Sequence, residues 1–122
     1  MSTRILIVDD SGLARRSVRQ ILERAGFEVL EAVDGLSALE RYALDKPDLV
    51  VLDLVMKGMY GLDVLTKLRQ MDAQARVIVA SADIQTPSRD SAQAAGALAF
   101  INKPLDDAEL LAAVDTALGS TR

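Results

Sequence analysis

Five times along the chain, a short aliphatic run gives way to a segment whose apolar residues recur at helical spacing. Three of the runs, 5–8, 49–52 and 77–80, contain no polar residue and do not alternate. A strand of that kind is apolar on both sides, so both faces of its sheet must be covered. Residues 27–32 and 98–101 read as two further strands. Leu13, Ala14, Val18, Ile21, Leu22 and Ala25 form a first helical stripe, and Gly26 stands where a helix ends. Leu36, Leu39 and Ala43 mark a second helix, stopped by Pro47, and Leu62, Leu65 and Leu68 a third. Pro87 opens a fourth that runs to about Ala95, with a weak stripe made mainly of alanine. Asp106 and Glu109 resemble a capping box for the last, which carries Leu110, Leu111, Val114 and Leu118. Strand followed by helix, five times over, predicts an open, doubly wound parallel α/β sheet.

The 122 residues suit one domain, 1–122, with one core. No apolar run approaches the ~18 residues that span a bilayer, and the N-terminus lacks a signal-peptide pattern. A cytoplasmic protein with no membrane partner is expected. The chain has no histidine and no cysteine. That excludes Ser-His-Asp and Cys-His catalysis and an ordinary zinc site. Any metal must be held by oxygen, which favours Mg²⁺ or Ca²⁺. A formal net charge of -4 and only two Tyr and two Phe argue against direct nucleic-acid binding.

The polar residues gather at one place. Asp9 and Asp10 follow the first strand, Asp53 the third, Ser81 the fourth, and Lys103 the fifth after one residue. In open α/β sheets, ligands bind beyond the carboxyl ends of the strands. Singly, each residue has an ordinary structural role. Asp9 or Asp10 can cap a helix, Ser81 can sit in a turn, and Lys103 can be a solvated loop charge. Asp53 is harder to place so, because apolar residues flank it on both sides and a buried charge needs a partner. Three carboxylates together repel one another, and a divalent cation removes that conflict. Asp9 and Asp10 are most simply a Mg²⁺ cradle. The cation and Lys103 could neutralise a transferring phosphoryl group, Asp53 could be its nucleophile, and Ser81 could donate a hydrogen bond to the product.

The segments "ILIVDDSG", "DLVVLDLVMKGMYG", "VIVASAD" and "AGALAFINKPL" closely resemble the receiver domain of two-component response regulators, over essentially the whole chain. The resemblance implies a flavodoxin-like fold, with strand order 2-1-3-4-5 and five helices. It implies that Asp53 is the phosphoacceptor and that Asp9 and Asp10 are the acidic pair, with Asp10 the more direct Mg²⁺ ligand. The main-chain carbonyl of Val55 completes the protein's metal contacts by the same resemblance. Ser81 matches the switch hydroxyl, Lys103 the family's lysine and Phe100 its rotating aromatic. The phosphoryl group would come from a phosphohistidine on a sensor histidine kinase or a histidine phosphotransfer protein. Such a chain is no enzyme beyond its own phosphorylation and dephosphorylation. Its output would pass to a downstream protein through the face built from the fourth helix, fifth strand and fifth helix. It would be either a stand-alone regulator of the chemotaxis type or a receiver cut from a longer protein.

Some positions depart from the family's common pattern. Lys57 stands where Pro is frequent and Tyr60 where Asp is frequent. Val55 and Asp83 occupy the positions that tune water access to the phosphorylated aspartate. Phe100 lacks a hydroxyl, so any switching by it depends on burial, and core packing is its plain alternative. Two other classes compete. An aspartate-nucleophile phosphatase needs an acid two residues after the nucleophile, where Val55 stands. A flavodoxin-like FMN binder needs a hydroxyl- or glycine-rich loop after the first strand, where "DDSGLARR" places two negative charges.

Overall fold

The three continuous aliphatic runs occupy the middle of the sheet, where both faces are covered. A computed structural model describes residues 2–56, 60–82 and 86–119, so Lys57 and Asp83 lie outside the described residues. The elements alternate as expected: β1 (Arg4–Val8), α1 (Gly12–Arg24), β2 (Glu28–Ala32), α2 (Gly35–Asp45), β3 (Leu49–Asp53), α3 (Gly61–Met71), β4 (Val77–Ser81), α4 (Thr86–Ala94), β5 (Ala99–Asn102) and α5 (Asp107–Gly119). All pairings are parallel, in the order β2-β1-β3-β4-β5. Among the described residues, no helix is long and apolar enough to cross a membrane.

Each strand sends alternate residues to opposite faces, as its period of two demands. Leu6, Val8, Val50, Leu52, Val77 and Val79 pack with Val64, Leu65 and Leu68 of α3, Ala38 and Tyr42 of α2 and Ala92 of α4. Ile5, Ile7, Leu49, Val51, Ile78 and Ala80 pack with Val18, Ile21 and Leu22 of α1 and Leu110, Val114 and Leu118 of α5. Burying each Leu or Ile side chain contributes about 1.5–3 kcal/mol. Truncating the fully buried Leu52 to Ala would remove about 2–5 kcal/mol.

The helix stripes differ in detail from the sequence reading. Leu13, Ala25, Leu36 and Ala43 are exposed. In α2 the buried line runs through Gly35, Ala38 and Tyr42, because the Tyr42 hydroxyl reaches Asp72 at 2.8 Å and turns the helix toward α3. Of the expected alanine stripe of α4, Ala92 is fully buried and Ala94 is exposed, while Ala95, just past the helix, packs on the same core.

Strand ends shift by one residue. Phe27 precedes β2, because its N–H bonds the Leu22 carbonyl at 3.1 Å and closes the end of α1 around Gly26, whose φ is 95°. β3 and β4 each run one residue further, to Asp53 and Ser81, because the ladder continues whatever the side chain is. Ser11, not Asp9 or Asp10, caps α1, and its hydroxyl accepts from the Ala14 N–H at 3.2 Å. Asp106 accepts from the Glu109 N–H at 3.0 Å, one half of the expected box, while a complete capping box joins Asp34 and Ser37 at α2.

Candidate functional site

The strand order reverses between β1 and β3, and the crevice at their carboxyl ends holds the charged residues. Asp53 closes β3 and aligns with Ala80 of β4. Asp9 follows β1, and its N–H bonds the Ala32 carbonyl at 3.2 Å, so the β1–α1 loop begins pinned to β2. Both carboxylates are buried, at 8% and 5% residual exposure, whereas Asp10 is exposed. One ligand atom from each of Asp9, Asp10 and Asp53 lies within 4.8 Å of the others.

Lys103 enters from beyond β5. Its N–H bonds the Ser81 carbonyl at 2.8 Å, which ties its backbone to β4. Its Nζ lies 2.7 Å from Asp9 Oδ2 and 3.5 Å from Asp53 Oδ1. Its nearer partner is therefore Asp9, which the sequence did not indicate. Asp9 Oδ1 accepts the Ser11 N–H at 2.9 Å, so both of its oxygens are engaged.

The electrostatics follow. Burial pushes the Asp53 carboxyl above its usual range, and the Asp9 charge adds to that. The Lys103 ammonium and the Val55 N–H, which hydrogen-bonds the Asp53 carboxylate, oppose the rise without cancelling it. Burial pulls Lys103 down, but its hydrogen bond to Asp9 and the Asp53 and Asp9 charges outweigh this and hold it above its ordinary value. Three carboxylates against one ammonium leave two negative charges in excess, which one divalent cation cancels. An all-oxygen donor set with that excess fits a hard cation.

Four predicted residues thus meet: Asp9, Asp10, Asp53 and Lys103. Val55 stands beside them through its backbone, and its side chain is 58% exposed. Ser81 ends β4 fully buried, and its alternation with Val77 and Val79 assigns it to the face of α3 and α4. Phe100 lies apart from the charges, aligned with Val79 on that same face. It is half-buried, and the Arg89 guanidinium stands 5.3 Å from its ring centre.

Three neighbours escaped the sequence reading. Ser11 caps α1 beside the acidic pair. Arg15 donates from Nη1 to the Asp9 carbonyl at 2.8 Å. Gly61 donates its N–H to the Leu54 carbonyl at 2.7 Å. Ser11, a favoured cap type inside "ILIVDDSG", and Gly61, which closes "DLVVLDLVMKGMYG", carried a signal, and Arg15 did not.

Residues 5–115 match the model of the response regulator receiver domain, and the chain belongs to that family. It is 43% identical to the chemotaxis protein CheY of Bacillus subtilis (strain 168), over 97% of this chain and 99% of that one. Among solved structures, a CheY-like receiver domain protein from Methanospirillum hungatei JF-1 superposes with a TM-score of 0.94 at 28% identity, covering 98% of this chain and 96% of that one. A CheX-CheY-BeF3-Mg complex from Borrelia burgdorferi matches with a TM-score of 0.89 at 35% identity, over 93% and 87%. CheY-like receivers are signalling switches rather than classical enzymes.

Proposed function

We propose that this chain, as one receiver unit over 1–122, is a phosphorylation-controlled switch whose Asp53 accepts a phosphoryl group from a phosphohistidine. One observation carries the reading: a buried carboxylate at the end of a central strand, 3.5 Å from a lysine ammonium and grouped with an acidic pair. The Borrelia relative whose solved complex contains BeF3 and Mg supports it.

The donor is a sensor histidine kinase or a histidine phosphotransfer protein, since this chain has no histidine of its own. An Asp53 oxygen forms a bond to phosphorus while the P–N bond to the donor imidazole breaks, and that electron pair leaves on the imidazole nitrogen. Asp9, Asp10 and Asp53, with the main-chain carbonyl of Val55, would hold Mg²⁺, which supplies neutralising charge for the phosphoryl oxygens. Lys103, already charged and tethered by Asp9, presents its ammonium to the same oxygens. Water later cleaves the acyl phosphate, so the chain resets itself, in the cytoplasm where its donor works.

The readout runs through Ser81 and Phe100. An aspartyl phosphate adds acceptor oxygens at the end of β3, and the Ser81 hydroxyl on the neighbouring strand turns toward them. Phe100, on the same face as Ser81, then moves inward and reshapes the α4-β5-α5 surface offered to a downstream protein.

Incubation with acetyl phosphate and MgCl₂, followed by intact-mass measurement, tests the assignment. One phosphoryl adduct is expected, absent in Asp53→Asn and in EDTA. An adduct that survives either condition overturns it. Ser81→Ala should still take up phosphate while its α4-β5-α5 hydrogen exchange no longer responds to beryllofluoride.

A further inference from the structure

Arg15 and Arg16 stand side by side in α1, but only Arg15 turns inward. Its guanidinium lies between the loop that carries the acidic pair and the edge strand β2. Nη1 donates to the Asp9 carbonyl at 2.8 Å, and Nε donates to Glu31 Oε1 at 2.9 Å. The other Glu31 oxygen accepts from Arg19, so Glu31 is itself held from two directions.

The Asp9 carbonyl belongs to the peptide that joins Asp9 to Asp10. Peptides are planar, so holding that oxygen fixes how the chain enters Asp10. The next peptide, Asp10–Ser11, is held at its N–H by Asp9 Oδ1 at 2.9 Å. Both peptides around Asp10 are therefore anchored, and its neighbours set the Cα–Cβ direction from which its exposed side chain starts. A free loop would let two adjacent carboxylates swing apart to relieve their repulsion.

We propose that Arg15 is a positioning residue for the cation site, whose two-armed grip between the Asp9 carbonyl and Glu31 aims the Asp10 carboxylate at Asp9 and Asp53. The inference rests on the proposed function in taking these three aspartates as the Mg²⁺ ligands. Arg suits the task because its rigid fork serves two acceptors at once, whereas a Lys ammonium on a flexible stem lacks that fork. Groups that orient metal ligands typically change affinity by about 10- to 100-fold when removed.

The test is an NMR titration of the full chain with MgCl₂ alone, no phosphodonor present. Arg15→Ala should raise the Mg²⁺ Kd roughly tenfold, and Arg15→Lys should recover only part of it. Arg19→Ala, which removes a Glu31 contact but not the hold on Asp9, should stay within about twofold. If Arg15→Ala fails to fold, Glu31→Ala replaces it, since loosening the anchor should weaken Mg²⁺ in the same direction. Equal effects from Arg15→Ala and Arg19→Ala, or full recovery by Arg15→Lys, overturn the inference. Asp10→Asn serves as the separate check: if it leaves Mg²⁺ affinity unchanged, it is the ligand assignment in the proposed function that fails.

Discussion

Replacing Gly61 with alanine should damage the protein at the strand end that carries Asp53. A Cβ at this position would lie 2.6 Å from the Asp53 carbonyl oxygen, the Leu54 Cα and the Leu54 carbonyl oxygen. All three are backbone atoms, so no side chain can swing aside. Opening the gap to 3.4 Å, where ordinary contact begins, needs a movement of about 0.8 Å. That movement also strains the 2.7 Å hydrogen bond from the Gly61 N–H to the Leu54 carbonyl. Overpacking typically costs about 1–3 kcal/mol, and rigid backbone on every side puts this case near 3. For a chain of this size the melting temperature should fall by roughly 10 °C. Because the displaced atoms belong to Asp53 and Leu54, Mg²⁺-dependent labelling by acetyl phosphate should slow in the protein that remains folded. Gly119→Ala is the control, since nothing lies within 4 Å of an added Cβ there. Circular dichroism melts of the two variants decide the matter. A Gly61→Ala protein that melts within about 2 °C of the parent would show that the approach of α3 to β3 does not restrict position 61 to glycine.

Glu31 should supply pH-dependent stability. Burial alone would raise its carboxyl, but the hydrogen bonds from Arg19 and Arg15 hold it below its usual range. A depressed acid stabilises the fold above its unfolded value and loses that contribution as pH falls through the folded one, so Glu31→Gln should cost about 1 kcal/mol at pH 7 and almost nothing well below about pH 4. A deficit that stays constant down to pH 3 in urea titrations would refute the pairing. Among the described residues, Asn102 Oδ1 is buried without a hydrogen-bond partner, so Asn102→Val should stabilise the protein by about 1 kcal/mol, and an unchanged or lower urea midpoint would count against it. Arg89 holds the ring of Phe100 in its half-buried position by a cation–π contact of about 0.5–1 kcal/mol, so Arg89→Ala should tighten beryllofluoride binding about two- to fivefold, and unchanged binding would argue that the contact is incidental.

The parts of the fold that could be read in advance are those set by local pattern. The runs at Ile5–Val8, Leu49–Leu52 and Val77–Ala80 permit little but buried parallel strands. Gly26 and Gly96 stand at positive φ at or just past helix ends; at Gly26 only backbone freedom is at stake, while a Cβ at Gly96 would also meet the Arg69 side chain at 2.7 Å. The site was legible because topology alone carries Asp9, Asp10, Asp53 and Lys103 to one edge. What was not legible depends on long-range geometry. Asp9, Asp10 and Ser11 are all acceptable caps, and the cap fell to Ser11 because Asp9 is held by Lys103 and Asp10 stands outside. Arg15, Arg16, Arg19 and Arg24 look alike in a helical pattern; Glu31 on β2 draws both Arg15 and Arg19, and it is the Asp9 carbonyl that distinguishes Arg15. Leu36 looks more like a core residue than Tyr42 does until the hydroxyl of Tyr42 finds Asp72.

Strand alternation divides the proposed switch into two halves. Asp9 follows Ile5 and Ile7 in parity, and Asp53 follows Leu49 and Val51, so both belong to the α1 and α5 side of the sheet. Ser81 follows Val77 and Val79, and Phe100 aligns with Val79, so both belong to the α3 and α4 side. In the proposed readout, a change of charge at Asp53 therefore passes from one face of the sheet to the other to reach Phe100. The residue on which both halves converge is Ser81. Its carbonyl accepts the N–H of Lys103, whose ammonium sits among the carboxylates, while its side chain belongs to the face of Phe100. Backbone and side chain of one residue thus serve different halves. That division is why loss of the hydroxyl alone should leave phosphoryl uptake intact and silence the response: the peptide that anchors Lys103 survives in Ser81→Ala, and the group that reports across the sheet does not.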